Sequence, residues 1–144
     1  ELVPNELRLV ASKVLLERAQ TRNWEELLRF QPLLFREAGS GTRQLMEEWL
    51  ISRGWSKPQR FELASNEAVK QAVLAGLGIS VMPLLGIKGE LERGEMEVIE
   101  APGLPLFSQW RLVYARGKRL LPATAAFLDY LKAESAAIQQ RWFG

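Results

Sequence analysis

The stretch best equipped for chemistry is Glu37-Ala38-Gly39-Ser40-Gly41-Thr42-Arg43, a glycine-punctuated turn between an apolar run at residues 32–35 and an amphipathic run at 44–51. The chemistry it suits is anion binding. Gly39 and Gly41 let the backbone take conformations closed to other residues and let a ligand come close to main-chain N–H groups. Ser40 and Thr42 add hydroxyls, and Arg43 adds a positive charge. Where such a turn opens a helix, the first N–H groups have no carbonyl partners and the helix dipole presents its positive end, so a carboxylate or phosphate is the natural guest. The plainer alternative is that these residues only cap their own helix, worth about 1 kcal/mol. A second turn of similar type, Ser65-Asn66-Glu67, precedes another helical stretch, with Lys70 one turn further on.

Several other chemistries are excluded. The spacing Gly-x-x-x-x-Gly-Lys-Ser/Thr does not occur, and Gly-x-Gly-x-x-Gly would need a glycine where Gln44 stands. The chain has no cysteine and no histidine, which removes disulfides, thiol nucleophiles, serine–histidine pairs and the usual zinc ligand sets. Glu37, Glu62 and Glu67 stand near the turns, and single carboxylates in such places read as caps or solvated charges. The expectation is a protein that is not an enzyme, with no catalytic residue, no metal and no cofactor.

These turns need a framework. A chain of 144 residues with 47% apolar content can bury a sizeable core as one domain. Nineteen basic against seventeen acidic residues leave a formal charge of +2, too balanced for nucleic-acid binding to follow from the overall field. The basic run at 116–119 reads as a solvated loop. No window approaches the roughly 20 apolar residues of a membrane span. The start shows no basic region followed by an apolar stretch, so a cytoplasmic residence without membrane contact is expected.

Hydrophobic periodicity predicts strands at 7–11, 33–36, 59–63, 79–82, 96–99 and 108–115, the last being the longest. Helices are predicted at 42–53, 68–75, 84–93 and from Pro122 onward, with weak helical character at 13–23 and a helical turn at 24–28. Leu45, Met46, Trp49 and Leu50 make one apolar stripe suited to core packing. Gly54 and Gly76 stand where left-handed C-caps belong. Gly86 and Gly89 each weaken the 84–93 helix by about 1 kcal/mol relative to alanine. In the last helix Phe127, Leu128, Leu131 and Ile138 fall near one face. Strands alternating with helices imply an α/β fold with helices packed on a largely parallel sheet. Ligands in such sheets sit off the carboxyl ends of strands, where both turns would lie.

Phe35-Arg36-Glu37-Ala38-Gly39-Ser40-Gly41-Thr42-Arg43, then residues 62–79 opening Glu62-Leu63-Ala64-Ser65-Asn66-Glu67, then Trp110-Arg111-Leu112-Val113-Tyr114 leading to the Pro122 helix, form a combination that resembles a known family in register. Over roughly residues 30–135 the chain resembles the C-terminal effector-binding domain of LysR-type transcriptional regulators. In character it is similar to the CO2-responsive regulators of Calvin-cycle and inorganic-carbon-uptake genes. The resemblance implies a periplasmic-binding-protein-like (type 2) fold, two α/β subdomains around a cleft, of which this chain holds mainly the second. It implies an anionic effector, phosphorylated or a dicarboxylate, such as 2-phosphoglycolate, ribulose bisphosphate or 2-oxoglutarate. Carried over residue by residue, it makes Gly39, Ser40, Gly41, Thr42, Arg43, Ser65 and Asn66 the effector-binding positions.

On this reading residues 1–30 are a crossing strand and connector, 31–115 the second subdomain and 116–144 the returning C-terminal helix. A homodimer or homotetramer is implied, and DNA is contacted only through a helix-turn-helix domain absent from this chain. The His-Pro-Leu-like segment usual after the first strand is replaced by Ser12-Lys13-Val14-Leu15-Leu16. An alternative from another class is a solute-binding domain of a transport system with the same fold.

Overall fold

The computed structural model describes residues 2–55, 59–117 and 119–143, the side chains of 142 and 143 excepted. The chain divides into two compact units, one of residues 6–106 and one of residues 1–5 with 107–144.

In the larger unit the organising strand is β1 (Val3–Ser12), longer than its predicted 7–11. It is flanked by β4 (Ser80–Pro83) on one side and β5 (Met96–Val98) on the other, so that Val10 faces Ser80 and Val98 at once. Both pairings are antiparallel. Beside them β2 (Leu33–Arg36) and β3 (Arg60–Leu63) run parallel, with Leu33 opposite Arg60 and Arg36 opposite Leu63. Leu33 also bridges Ile79 in the parallel sense, through Leu34 N–H to the Ile79 carbonyl at 2.9 Å and Ile79 N–H to the Pro32 carbonyl at 3.0 Å.

There are therefore two sheets, one with β4 and β5 antiparallel to β1 and one of the parallel pair β2 and β3, joined by the Leu33–Ile79 bridge, where one largely parallel sheet was expected. Parallel pairing requires a crossover, and α3 (Gly41–Ser52) and α4 (Asn66–Leu74) supply it from β2 to β3 and from β3 to β4. Around β1 both pairings are antiparallel, with α1 to α4 lying in the chain between β1 and β4.

The strand β2 is buried on both faces, which is why it reads as a continuous apolar run. Leu33 and Phe35 enter one core cluster with Leu7, Leu9, Met46, Trp49 and Leu50, while Leu34 enters a second with Val69, Val73 and Met82. The predicted stripe on α3 thus packs into the core. The weakly helical segment resolves into α1 (Lys13–Ala19), capped by the Ser12 hydroxyl and closed at Gln20 in a left-handed conformation of φ 55. The turn at 24–28 extends to α2 (Trp24–Phe30), capped by Asn23. The predicted helix at 84–93 breaks into a 3-10 turn, Leu84–Ile87, and a short α5 (Lys88–Glu92), as its two low-propensity glycines would cause.

In the smaller unit, β6 (Leu106–Trp110) pairs with the beginning of β1; Leu2 N–H donates to the Trp110 carbonyl at 2.7 Å and Asn5 Nδ2 to Ser108 Oγ at 3.0 Å. The strand predicted at 108–115 ends at Trp110. Alternation specifies a strand only where one face is buried, and residues 111–115 are exposed on both. The long α6 (Pro122–Phe143) half-buries Ala125, Leu128, Leu131, Ser135 and Ile138, spaced as one helical stripe. Phe127, predicted on that face, is 59% exposed. Of the basic loop at 116–119, residue 118 lies outside the described residues.

Candidate functional site

Because β2 and β3 are parallel neighbours in register, they end at the same edge, Arg36 beside Leu63. The chain then turns into α3 at one strand end and into α4 at the other, so two helix starts stand side by side. Gly39 has φ 91, a left-handed conformation that favours glycine at this turn. Ser40 is the N-cap of α3, its Oγ accepting from Arg43 N–H at 3.3 Å, and Ser65 is the N-cap of α4, accepting from Ala68 N–H at 3.0 Å. Both serines therefore do what the plainer alternative asks of them. Capping uses a lone pair and leaves the hydroxyl proton to be donated elsewhere. The Gly41 and Thr42 N–H groups remain in the first turn, where helix geometry offers them no carbonyl.

A side chain that sequence reasoning did not single out joins the two starts. Arg36, the last residue of β2, donates from Nε and Nη2 to the two carboxylate oxygens of Glu37, at 2.8 Å each. Its Nη1 donates to Oδ1 of Asn66, the first residue of α4, at 2.6 Å. The available signal was a basic residue at the carboxyl end of a buried strand.

Arg43 is spent locally: it donates to Glu62 at 2.6 Å, to Glu47 at 3.1 Å and to the Arg36 carbonyl at 3.2 Å. The Glu62 hydrogen bond raises its pKa further above the ordinary value. Lys70, one turn into α4, pairs with Glu67 at 3.0 Å and Glu90 at 3.5 Å, and its pKa is raised chiefly by Glu67. A shallow cleft of about 210 Å³ is lined by Ala38, Gly39, Ser40, Arg43, Gln44 and Glu47. Gly41, Thr42, Ser65 and Asn66 are not in its lining; Asn66 is tied to the end of β2 through Arg36, while Ser65 caps its own helix. Among the described residues no group of acidic side chains could hold a metal ion, and no helix is long and apolar enough to cross a membrane.

The Arg36 fork holds the Glu37 carboxyl down to a pKa of about 2, from an ordinary 4.5. A depressed carboxylate contributes its ion pair above the unfolded pKa and loses it as pH falls through the folded one. The Arg36–Glu37 pair is accordingly expected to stay intact from neutrality to below pH 4 and to open toward pH 2. Carboxyl NMR titration checks this: Glu37 should titrate near 2 in the native protein and move back toward 4.5 in Arg36→Gln.

Residues 1–136 match the LysR substrate binding domain family, and the chain belongs to it. Among its relatives, the RuBisCO operon transcriptional regulator of Acidithiobacillus ferrooxidans is 45% identical over 109 residues, covering 76% of this chain and 35% of that protein. The transcriptional activator CmpR of Synechocystis is 40% identical over 113 residues, covering 78% of this chain and 37% of that one. Among solved structures, the Synechocystis CcmR regulatory domain in complex with 2-PG superposes with a TM-score of 0.75 at 30% identity, covering 93% of this chain and 64% of that one. The fold is thus that of LysR effector domains. These relatives are transcriptional regulators rather than enzymes, two of them regulators of the RuBisCO operon, in line with both the resemblance and the expectation of no catalysis. This chain spans about a third of the length of those curated relatives.

Proposed function

We propose that this chain is the effector-sensing part of a CO2-responsive LysR-type regulator and takes a small anionic metabolite at the paired starts of α3 and α4. The observation that carries the reading is their juxtaposition: two capped helix N-termini at one sheet edge, tied by the 2.6 Å hydrogen bond from Arg36 to Asn66. Gly41 and Thr42 offer backbone N–H groups, Ser40, Thr42 and Ser65 offer hydroxyls, and Asn66 offers an amide. Arg43, held by Glu47 and Glu62, contributes field more than contact. Gly39 shapes the turn. The 2-PG complex of the related CcmR domain supports a phosphorylated carboxylate as the metabolite class, with 2-phosphoglycolate the first to test.

In the complete regulator, residues 31–115 serve as the second subdomain, residues 1–30 and 116–144 tie it to the first, and a helix-turn-helix domain carries the DNA contact. Effector binding then changes the arrangement of a homodimer or homotetramer. The relatives favour this over a transport-associated solute-binding domain.

Calorimetry on the full-length regulator with 2-phosphoglycolate tests the site. Losing one hydrogen bond to a charged ligand weakens binding by about tenfold or more, so Thr42→Val and Ser40→Ala are each expected to raise Kd by that factor. Unchanged affinity in both variants removes these residues from the site.

A further inference from the structure

Each cation at the two helix starts described above is held by a carboxylate of its own chain: Arg43 by Glu47 and Glu62, Lys70 by Glu67 and Glu90, and Arg36 by Glu37. These pairs are not equivalent. Arg43 is fixed by acceptors on three different segments, so freeing it would break contacts of α3, of β3 and of the β2 end together. Among the described residues Arg36 has one carboxylate partner, and that partner is the first residue of the turn leading to Ser40. The Arg36 side chain is largely buried at 19% exposure while the Glu37 side chain is 39% exposed, so the guanidinium is anchored and the carboxylate can move away into solvent.

The geometry is also that of a receptor for an anion. Two N–H donors of Arg36 meet the two carboxylate oxygens of Glu37 at 2.8 Å each, the fork-to-fork pairing that a ligand carboxylate or phosphate makes with arginine. A guanidinium can only donate, so Asn66 presents its Oδ1 to Arg36 and keeps its amide N–H groups for an acceptor elsewhere.

We propose that Glu37 stands in for the effector: its carboxylate occupies the place on Arg36 that the anionic group of the metabolite takes, making Arg36 a specificity-determining contact and Glu37 its built-in competitor. This rests on the reading that the effector binds at the α3 and α4 starts. An internal competitor attached next to the site is present at high effective concentration, so it sets a threshold that the metabolite must exceed. It also selects by charge. A neutral ligand gains nothing by displacing Glu37, and a dianion such as a phosphate monoester outbids a single carboxylate for the same fork.

The experiment is calorimetry of 2-phosphoglycolate with full-length wild type, Glu37→Gln, Arg36→Lys and Thr42→Val, each checked for an unchanged thermal midpoint. Removing the competing charge is expected to tighten binding about tenfold in Glu37→Gln, since it deletes both the rival for Arg36 and a negative charge beside the ligand. Arg36→Lys keeps the charge without the fork and is expected to weaken binding at least about tenfold. Binding by Glu37→Gln that is equal to or weaker than wild type overturns the proposal, and so does an Arg36→Lys protein that folds and binds normally. If Thr42→Val weakens binding while Glu37→Gln leaves it unchanged, the site stands and the competitor role falls. If Thr42→Val binds as wild type, the placement of the effector fails first and the proposal with it. Glu37 lies on an exposed turn, so the decisive variant does not depend on a risky substitution.

Discussion

Gly78→Ala is expected to lower the stability of the domain by about 3 kcal/mol, the upper end of what an overpacked site costs. Gly78 has no left-handed φ to protect, so the effect is steric. A Cβ there falls inside the contact distance of the Pro32 carbonyl oxygen and 3.1 Å from Leu34 Cγ. The oxygen cannot retreat cheaply, because it accepts the Ile79 N–H at 3.0 Å in the parallel bridge that fastens β2 to the chain entering β4. Relief therefore requires β2 to shift, and β2 ends in Arg36. Denaturant unfolding should show a lower midpoint at unchanged slope. Gly86→Ala is the control: its Cβ meets open space, and alanine favours the turn, so it should be neutral or slightly stabilising. Equal stability of the two variants would show that Gly78 is not the close approach it is taken for.

Much of the framework could be read from local chemistry. Ser40 and Ser65 announce the starts of α3 and α4, and Gly54 and Gly76 close the segments after them with φ values of 80 and 75. These signals act within one turn of the residue that sends them. What could not be read was whatever depends on a distant neighbour. The apolar alternation of β1 announces a strand, but its antiparallel position between β4 and β5 is decided by residues some seventy and eighty-five positions later. The alternation at 110–114 looks equally persuasive and forms no strand beyond Trp110, where both faces are largely exposed among the described residues.

The site divides along the same line. The glycine and hydroxyl pattern of 39–42 identifies a helix start suited to an anion from sequence alone. Its electrostatics do not follow from sequence, since Arg43 meets Glu62 nineteen positions away and Arg36 meets Asn66 thirty positions away. Both contacts exist because β2 and β3 pair with Arg36 opposite Leu63. A one-residue slip in that register would turn the side chains of one strand to the other face and dissolve them. The positive charge that the sequence offers at Arg43 is thus shared with Glu47 and Glu62 in the fold, and the fork of Arg36 becomes visible only with its partners in place.

Phe35→Ala is expected to cost about 3–5 kcal/mol, the range for truncating a buried aromatic ring. Phe35 is 1% exposed and packs in the cluster that holds Met46, Trp49 and Leu50 of α3. The Arg60 guanidinium lies over its ring, 5.3 Å from the centroid, while Arg60 also reaches Glu47 at 3.1 Å. Removing the ring leaves a cavity between the strand and the helix that begins the site, and takes away the platform on which that ion pair rests. Phe35→Leu fills most of the volume and should cost only about 1 kcal/mol. The pair separates packing from recognition. If Phe35→Leu keeps near-native stability yet loses affinity for 2-phosphoglycolate, the aromatic ring positions the Arg36 end of β2 as well as filling the core. Unchanged affinity instead means that β2 needs only apolar volume at this position, and that the placement of Arg36 is set by its pairing with β3.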